Sequence, residues 1–227
     1  MAENDSTSDT IGELTKPEAQ LAGERSRTYR FFAEAVDYPH DVTPAIADGT
    51  LAGVLREILE ASAPSLLEDV DWDALRDAGS GDDDLQIEYT RLFEVGASGP
   101  PCPLHGGLYG GARMKTMEEV VRFYNHFGLS LSEEQRELPD HISTELEFLH
   151  FLSFREARAI EDGEDPGPYR RAQRDFIERH PGSWIPKLRA KLVKNDPMRF
   201  FNELVRQLER YLAHDRDRLI ALVGKSA

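Results

Sequence analysis

The feature that most limits the fold of this chain is its periodicity. Apolar residues recur at steps of three and four in segment after segment, which lines one face of an α-helix, and no segment alternates apolar and polar residues as a half-buried strand does. The clearest case is the run from Pro197 to Leu222, striped by Phe201, Leu204, Val205, Leu208, Tyr211 and Leu212. Earlier runs follow the same rule. Leu21, Tyr29, Phe32, Ala33 and Val36 precede a stop at Tyr38-Pro39; Leu51, Val54, Leu55, Ile58 and Leu59 stripe Asp41 to Ala61; Pro64 to Ala78 reads as a shorter third helix. Leu85, Tyr89, Leu92 and Phe93 follow GSGDDD, whose aspartates are expected to cap the helix, and Met117, Val120, Val121, Tyr124 and Phe127 stripe Lys115 to Phe127. Beyond the break EDGEDPGP, further runs span Tyr169 to Arg179 and Ser183 to Val193. The expectation is an all-α protein of about nine to ten helices. It forms one globular domain over residues 18–222, or two helical halves joined by a hinge near residues 129–138. Residues 1–17 read as a disordered acidic tail and 223–227 as a flexible C-terminus.

Composition narrows the function. A formal charge of −15 speaks against nucleic acid bound through a broad phosphate-contacting surface, which needs clustered Lys and Arg. It serves solubility, or steers a cationic partner. One cysteine, Cys102, allows no internal disulfide. The N-terminus has no basic segment followed by an apolar run, and no stretch of ~18 apolar residues occurs, so a cytoplasmic location without membrane insertion is expected. Arg170-Arg171 lies mid-chain ahead of a helix, where a solvated surface role is expected rather than an export signal.

Two segments carry the candidate chemistry. Gly96 to Gly111, GASGPPCPLHGGLYGG, holds six glycines and three prolines and cannot continue a helix. It lacks the GxxxxGK[ST] pattern and a preceding strand, so it is expected to line a groove rather than cradle phosphate. Cys102 sits there between two prolines near His105, as a small apolar side chain or as a nucleophile lacking a visible activator. The second segment is a helix expected from about Pro139 to Ala159, with the proline in its first turn. At ~100° per residue, Ile142, Leu146, Phe148, Leu149 and Leu152 share a broad apolar arc that includes Glu145 and lies close to His141, while Glu147 points away. His141 and Glu145 are one turn apart. They read as a buried hydrogen-bonded pair, as a ligand-orienting pair in a groove, or as two ligands of a metal site whose remaining ligands no motif supplies. The last option would make the chain a helical metal- or cofactor-dependent enzyme.

Glu88-Tyr89-Thr90-Arg91-Leu92-Phe93, the loop reaching Pro103-Leu104-His105-Gly106-Gly107-Leu108-Tyr109, and Leu138-Pro139-Asp140-His141-Ile142-Ser143-Thr144-Glu145-Leu146-Glu147-Phe148 occur in an order that resembles the TorD/DmsD/NarJ family of redox-enzyme maturation chaperones. The likeness spans about Glu18 to Leu222. The loop is similar to the subgroup serving type II dimethyl-sulfoxide-reductase-like enzymes, of the ethylbenzene, dimethylsulfide, chlorate or selenate kind. The resemblance implies a non-catalytic, all-helical chaperone with no metal and no permanently bound cofactor. It would bind the catalytic (alpha) subunit of a molybdenum oxidoreductase, and its twin-arginine signal peptide, until bis-molybdopterin guanine dinucleotide is inserted before export. By position, the client groove would include Leu92, Phe93, Pro101, Pro103, Tyr109, Asp140, His141 and Glu145. His105-Gly106 stands where many relatives have an acid or an aromatic, which bears on whether the signal peptide or only the mature subunit is read. The working unit would be a monomer or a dimer exchanging helices across residues 129–138.

Overall fold

The structure is a computed structural model, and it describes residues 14–40, 42–81, 83–130 and 138–225. Among these, nine α-helices follow one another: α1 (Pro17–Ala35), α2 (Thr43–Ala47), α3 (Thr50–Ser62), α4 (Asp84–Tyr89), α5 (Arg113–His126), α6 (Ile142–Asp162), α7 (Gly167–Arg179), α8 (Pro181–Lys194) and α9 (Arg199–Val223). There is no strand among the described residues, which bears out the all-α expectation; two isolated bridges, Ala97 with Gly99 and His105 with His141, are the extent of β pairing. No helix among them is long and apolar enough to cross a membrane.

Proline and glycine set most of the breaks. α1 starts with Pro17 in its first turn, where a missing N–H costs nothing. The region expected as one helix over Asp41 to Ala61 is two, because Gly49 takes φ +85°, a conformation that ends α2 and that glycine adopts freely. Pro64 to Ala78 is a pair of short 3-10 turns, Pro64–Asp69 and Ala74–Arg76, rather than a third helix. α4 runs directly into a π-type turn over Thr90–Glu94.

One contiguous core runs from Tyr29 to Leu219 and draws on every long helix. The polypeptide on either side of residues 129–138 thus shares a single interior. The proposed hinge itself falls largely on residues 131–137, outside the described residues. A smaller cluster of Ala19, Ala22, Ala157 and Ile160, joined by Leu14, zips α1 onto the end of α6. Residues 1–13 of the expected tail lie outside the described residues. Residues 14–16 are anchored, Thr15 N and Lys16 N donating to the Glu161 carboxylate at 2.9 and 3.0 Å.

At the centre, four helices are pinned by a buried guanidinium. Arg25 of α1 donates to Asp215 of α9 at 2.6 Å and to Glu156 of α6 at 2.7 Å. Gln173 of α7 and the Tyr29 hydroxyl complete the network, and Arg25, Glu156 and Asp215 are each 1% exposed. Burial opposes ionisation of Asp215, but Arg25 outweighs it and brings the carboxyl down to about 2.

Candidate functional site

The glycine- and proline-rich loop is an ordered strap across the start of α6. Cys102 N–H donates to the Leu92 carbonyl at 2.9 Å, holding the loop against the turn after α4. Three residues on, the chain runs antiparallel to the residues that open α6: Ile142 N–H donates to Leu104 O at 2.9 Å and Gly106 N–H to Asp140 O at 2.8 Å. This pairing uses the backbone of Asp140, so α6 starts at Ile142 with His141 as its N-cap. Pro139 therefore lies outside the helix, where its carbonyl accepts from the Tyr124 hydroxyl at 2.9 Å.

Asp140, fully buried, is the pivot. Its Oδ2 accepts from Gly107 N–H at 3.0 Å, and its Oδ1 lies 3.5 Å from His105 Nδ1. Burial works against a charge here, but His105, the Gly107 N–H and the Arg113 guanidinium outweigh it and hold the carboxyl below its usual range. Gly107 is required by space: a Cβ there would lie 2.8 Å from Asp140 Oδ2 and 2.9 Å from Arg113 Cγ.

His141 turns back on its own helix, its Nδ1 2.7 Å from Ser143 Oγ and accepting weakly from Ser143 N–H. Burial, then the neighbouring His105, lowers its pKa to about 4, so it is neutral at pH 7 and caps α6 as an acceptor. One turn on, Glu145 is fully buried. Burial pushes its carboxyl well above the usual range; Oε2 accepts from Trp184 Nε1 of α8 at 2.9 Å, while Oε1 has no partner among the described residues. The Trp184 ring stacks on Tyr109 with centroids 5.3 Å apart. Tyr109 in turn donates to Pro103 O at 2.8 Å and carries Lys191 Nζ 4.8 Å above its ring.

The eight residues singled out from the sequence divide into two groups. Pro103, Tyr109, Asp140, His141 and Glu145 converge around the strap, with Pro101 half-buried at its start. Leu92 and Phe93 belong to the core behind it: Leu92 is fully buried and Phe93 meets Phe201 of α9 edge-on at 5.5 Å. The rest of that motif is a clamp, since Glu88 accepts two hydrogen bonds from Arg91 and one from Met198 N–H, tying α4 to the start of α9. The cluster thus underlies a surface rather than opening as a groove. Its accessible rim combines exposed Leu108, Met114 and Leu138 with the exposed cations Arg113, packed on Gly107, and Lys187 and Lys191, packed on Tyr109. Trp184 and Arg113 were not legible as partners; Trp184 lies 39 positions from Glu145, and only an aromatic in an amphipathic run marked it.

This arrangement does not perform the chemistry of the catalytic alternative. Glu145 is sealed beneath Trp184, and His141 is engaged with its own helix. Burial raises the Cys102 pKa, with its side chain inaccessible, so the thiol stays protonated at neutral pH. Among the described residues, no three His, Cys, Asp or Glu side chains gather as a metal site.

Comparison with known proteins places these motifs. The family model described as nitrate reductase delta subunit matches residues 52–190, a span holding both motifs, the strap and Trp184. The chain is 39% identical to the selenate reductase assembly chaperone protein of Thauera selenatis over 132 residues, 55% of this chain and 68% of that protein. It is 39% identical to the chlorate reductase assembly chaperone protein of Ideonella dechloratans over 120 residues, 52% of this chain and 62% of that protein. With the perchlorate reductase assembly chaperone protein of Dechloromonas aromatica it shares 31% identity over 204 residues, 87% of this chain and 91% of that protein. On these matches the chain belongs to the nitrate reductase delta subunit family, the TorD/NarJ group of proteins.

Proposed function

We propose that this chain is an assembly chaperone for a molybdenum oxidoreductase of the type II kind, holding the apo catalytic subunit in the cytoplasm while its cofactor is inserted. The observation that carries the reading is the strap: a glycine- and proline-rich loop fixed by Asp140 to the start of α6, buried beneath and carrying apolar and cationic side chains at its rim. Such an arrangement presents a surface without performing a reaction. Similar proteins are named for the assembly of selenate, chlorate and perchlorate reductases. The bis-molybdopterin guanine dinucleotide is the client's cofactor, and the chaperone retains none.

The client's twin-arginine signal peptide is a second ligand in this reading. Asp140 and Glu145 lie too deep to meet its guanidinium groups, so they act on it only through the strap. The working unit is a monomer or a dimer exchanging helices across residues 129–138, and light scattering separates the two by mass. Co-purification tests the main claim: tagged chain expressed with a type II catalytic subunit should recover that subunit poor in molybdenum. Recovery of the chain alone, or of a cofactor-replete subunit only, counts against it.

A further inference from the structure

α5 is the least covered of the long helices. Of its fourteen residues only Val120 and Tyr124 are buried, whereas α6 buries side chains along its length. Two parallel stripes remain outside. Met114, Met117 and Val121, spaced at three and four, form an apolar rail beside Pro139, bordering a groove of about 540 Å³. The neighbouring stripe of Glu119, Arg122 and His126 faces Arg171 and Arg179 of α7 across a cleft of about 620 Å³, with half-buried Phe123 and Phe127 in its lining. Arg122 borders both.

The arginines of this cleft differ from those elsewhere. Arg25, Arg91, Arg170, Arg206 and Arg210 each hold a carboxylate. Arg122, Arg171 and Arg179 are exposed and form no ion pair among the described residues. Of the two acids that line the cleft with them, Asp175 is held by Arg174 at 2.7 Å; Glu119 is the remaining one. In a chain of net charge −15, the cleft sets three guanidinium groups against two carboxylates, with exposed Glu118 on the apolar groove beside it.

We infer that the outer face of α5, with the facing wall of α7, docks an acidic amphipathic segment of the client's polypeptide. Its apolar side lies on Met114, Met117 and Val121, whose thioethers adapt to varied shapes. Its carboxylates meet the guanidinium groups of Arg122, Arg171 and Arg179. The inference rests on the assembly reading above. A nucleotide is the rival occupant, but the rings disfavour it. Phe123 already pairs with Phe148, Phe176 and His180, and Phe127 with His126, Phe148 and Tyr169, so stacking a base would compete with contacts already made.

The test uses the full chain and three probes: a synthetic helical peptide with leucines on one face and glutamates on the adjacent one, its lysine counterpart, and GDP. Net charge alone favours the lysine peptide. The docking face predicts the opposite: the glutamate peptide binds at least tenfold tighter, and Arg122→Glu, Arg171→Glu and Arg179→Glu together remove that preference. All three residues are exposed, so an unchanged melting temperature will show that the fold survives; the single reversals replace the triple one if it does not. Met117→Ser should weaken both peptides. Tighter binding of the lysine peptide, indifference to the reversals, or GDP as the sole probe they affect would overturn the proposal. Co-purification separates the two claims. Client capture undiminished by the reversals removes the docking face and leaves the assembly reading, whereas no capture by the native chain removes the assembly reading itself.

Discussion

Glu145, His141 and His180 are buried groups whose ionisation burial suppresses. Angular position alone placed Glu145 within the apolar arc of its helix and His141 at its edge, and both are buried. Their partners were not legible, because Trp184 and His105 reach them through tertiary contacts. Burial, then Arg179, lowers His180 to about 4, and burial, then His105, does the same for His141. For a histidine whose folded pKa is depressed, stability is full above the unfolded value near 6.5 and is lost as pH falls toward 4. Each ring should therefore cost roughly 3 kcal/mol between those limits. Glu145, raised by burial, has the reverse sign: its contribution is present below the unfolded carboxyl value and declines as pH rises toward the folded one. Urea midpoints from pH 7 to 4.5 should fall with acid, and Glu145→Gln should steepen that fall by removing the opposing term. A midpoint flat across this range in the Glu145→Gln variant would contradict the assignment of neutral buried rings.

At the level of elements, helices flanked by proline or glycine were placed to within about two residues, as with α7, α8 and α9. Those shaped by distant contacts were not. α6 begins later than its proline predicted because the strap takes the backbone of Asp140, and the run after Pro64 is aspartate-rich, with Asp71 accepting from Ala74 N–H at 2.9 Å in competition with continuous α-turns. The strap does not continue a helix, as its glycines and prolines imply, apart from one 3-10 turn at Gly106–Leu108, and its geometry is fixed by bonds to residues over thirty positions away. Gly106 shows how tight it is, since a Cβ there would lie 2.7 Å from Trp184 Nε1. Gly106→Ala should displace Trp184, orphan the Glu145 carboxyl and destabilise the protein by about 1–3 kcal/mol, with client capture weakened at temperatures where the fold persists. Chemical denaturation checks the first effect and co-purification the second; an unchanged midpoint would show that the strap is looser than its contacts imply.

For the whole molecule, periodicity and composition sufficed for the all-α architecture, while the way its long helices lock together depended on a charge network that no motif announced. Arg25 lies in a run that reads as ordinary amphipathic helix, yet its side chain is 1% exposed and joins α1 to α6 and α9. Removing it leaves Asp215 and Glu156 buried beside fewer cations, so Arg25→Met should cost about 3–5 kcal/mol, read as a drop in denaturation midpoint. A loss below about 1 kcal/mol would mean that Arg218, 3.2 Å from Asp215, and Arg170, 2.8 Å from Glu156, compensate. The acidic surface that looked suited to a basic partner also contains an arginine-lined cleft, visible only once α5 and α7 are brought together.

The central claim is that this chain readies a molybdenum enzyme's catalytic subunit for its cofactor, and the most direct measurement is the molybdenum content of that subunit produced with and without the chain. The account predicts a subunit depleted of metal when the chain is absent and restored when it is supplied in trans; equal molybdenum occupancy in both preparations would contradict it.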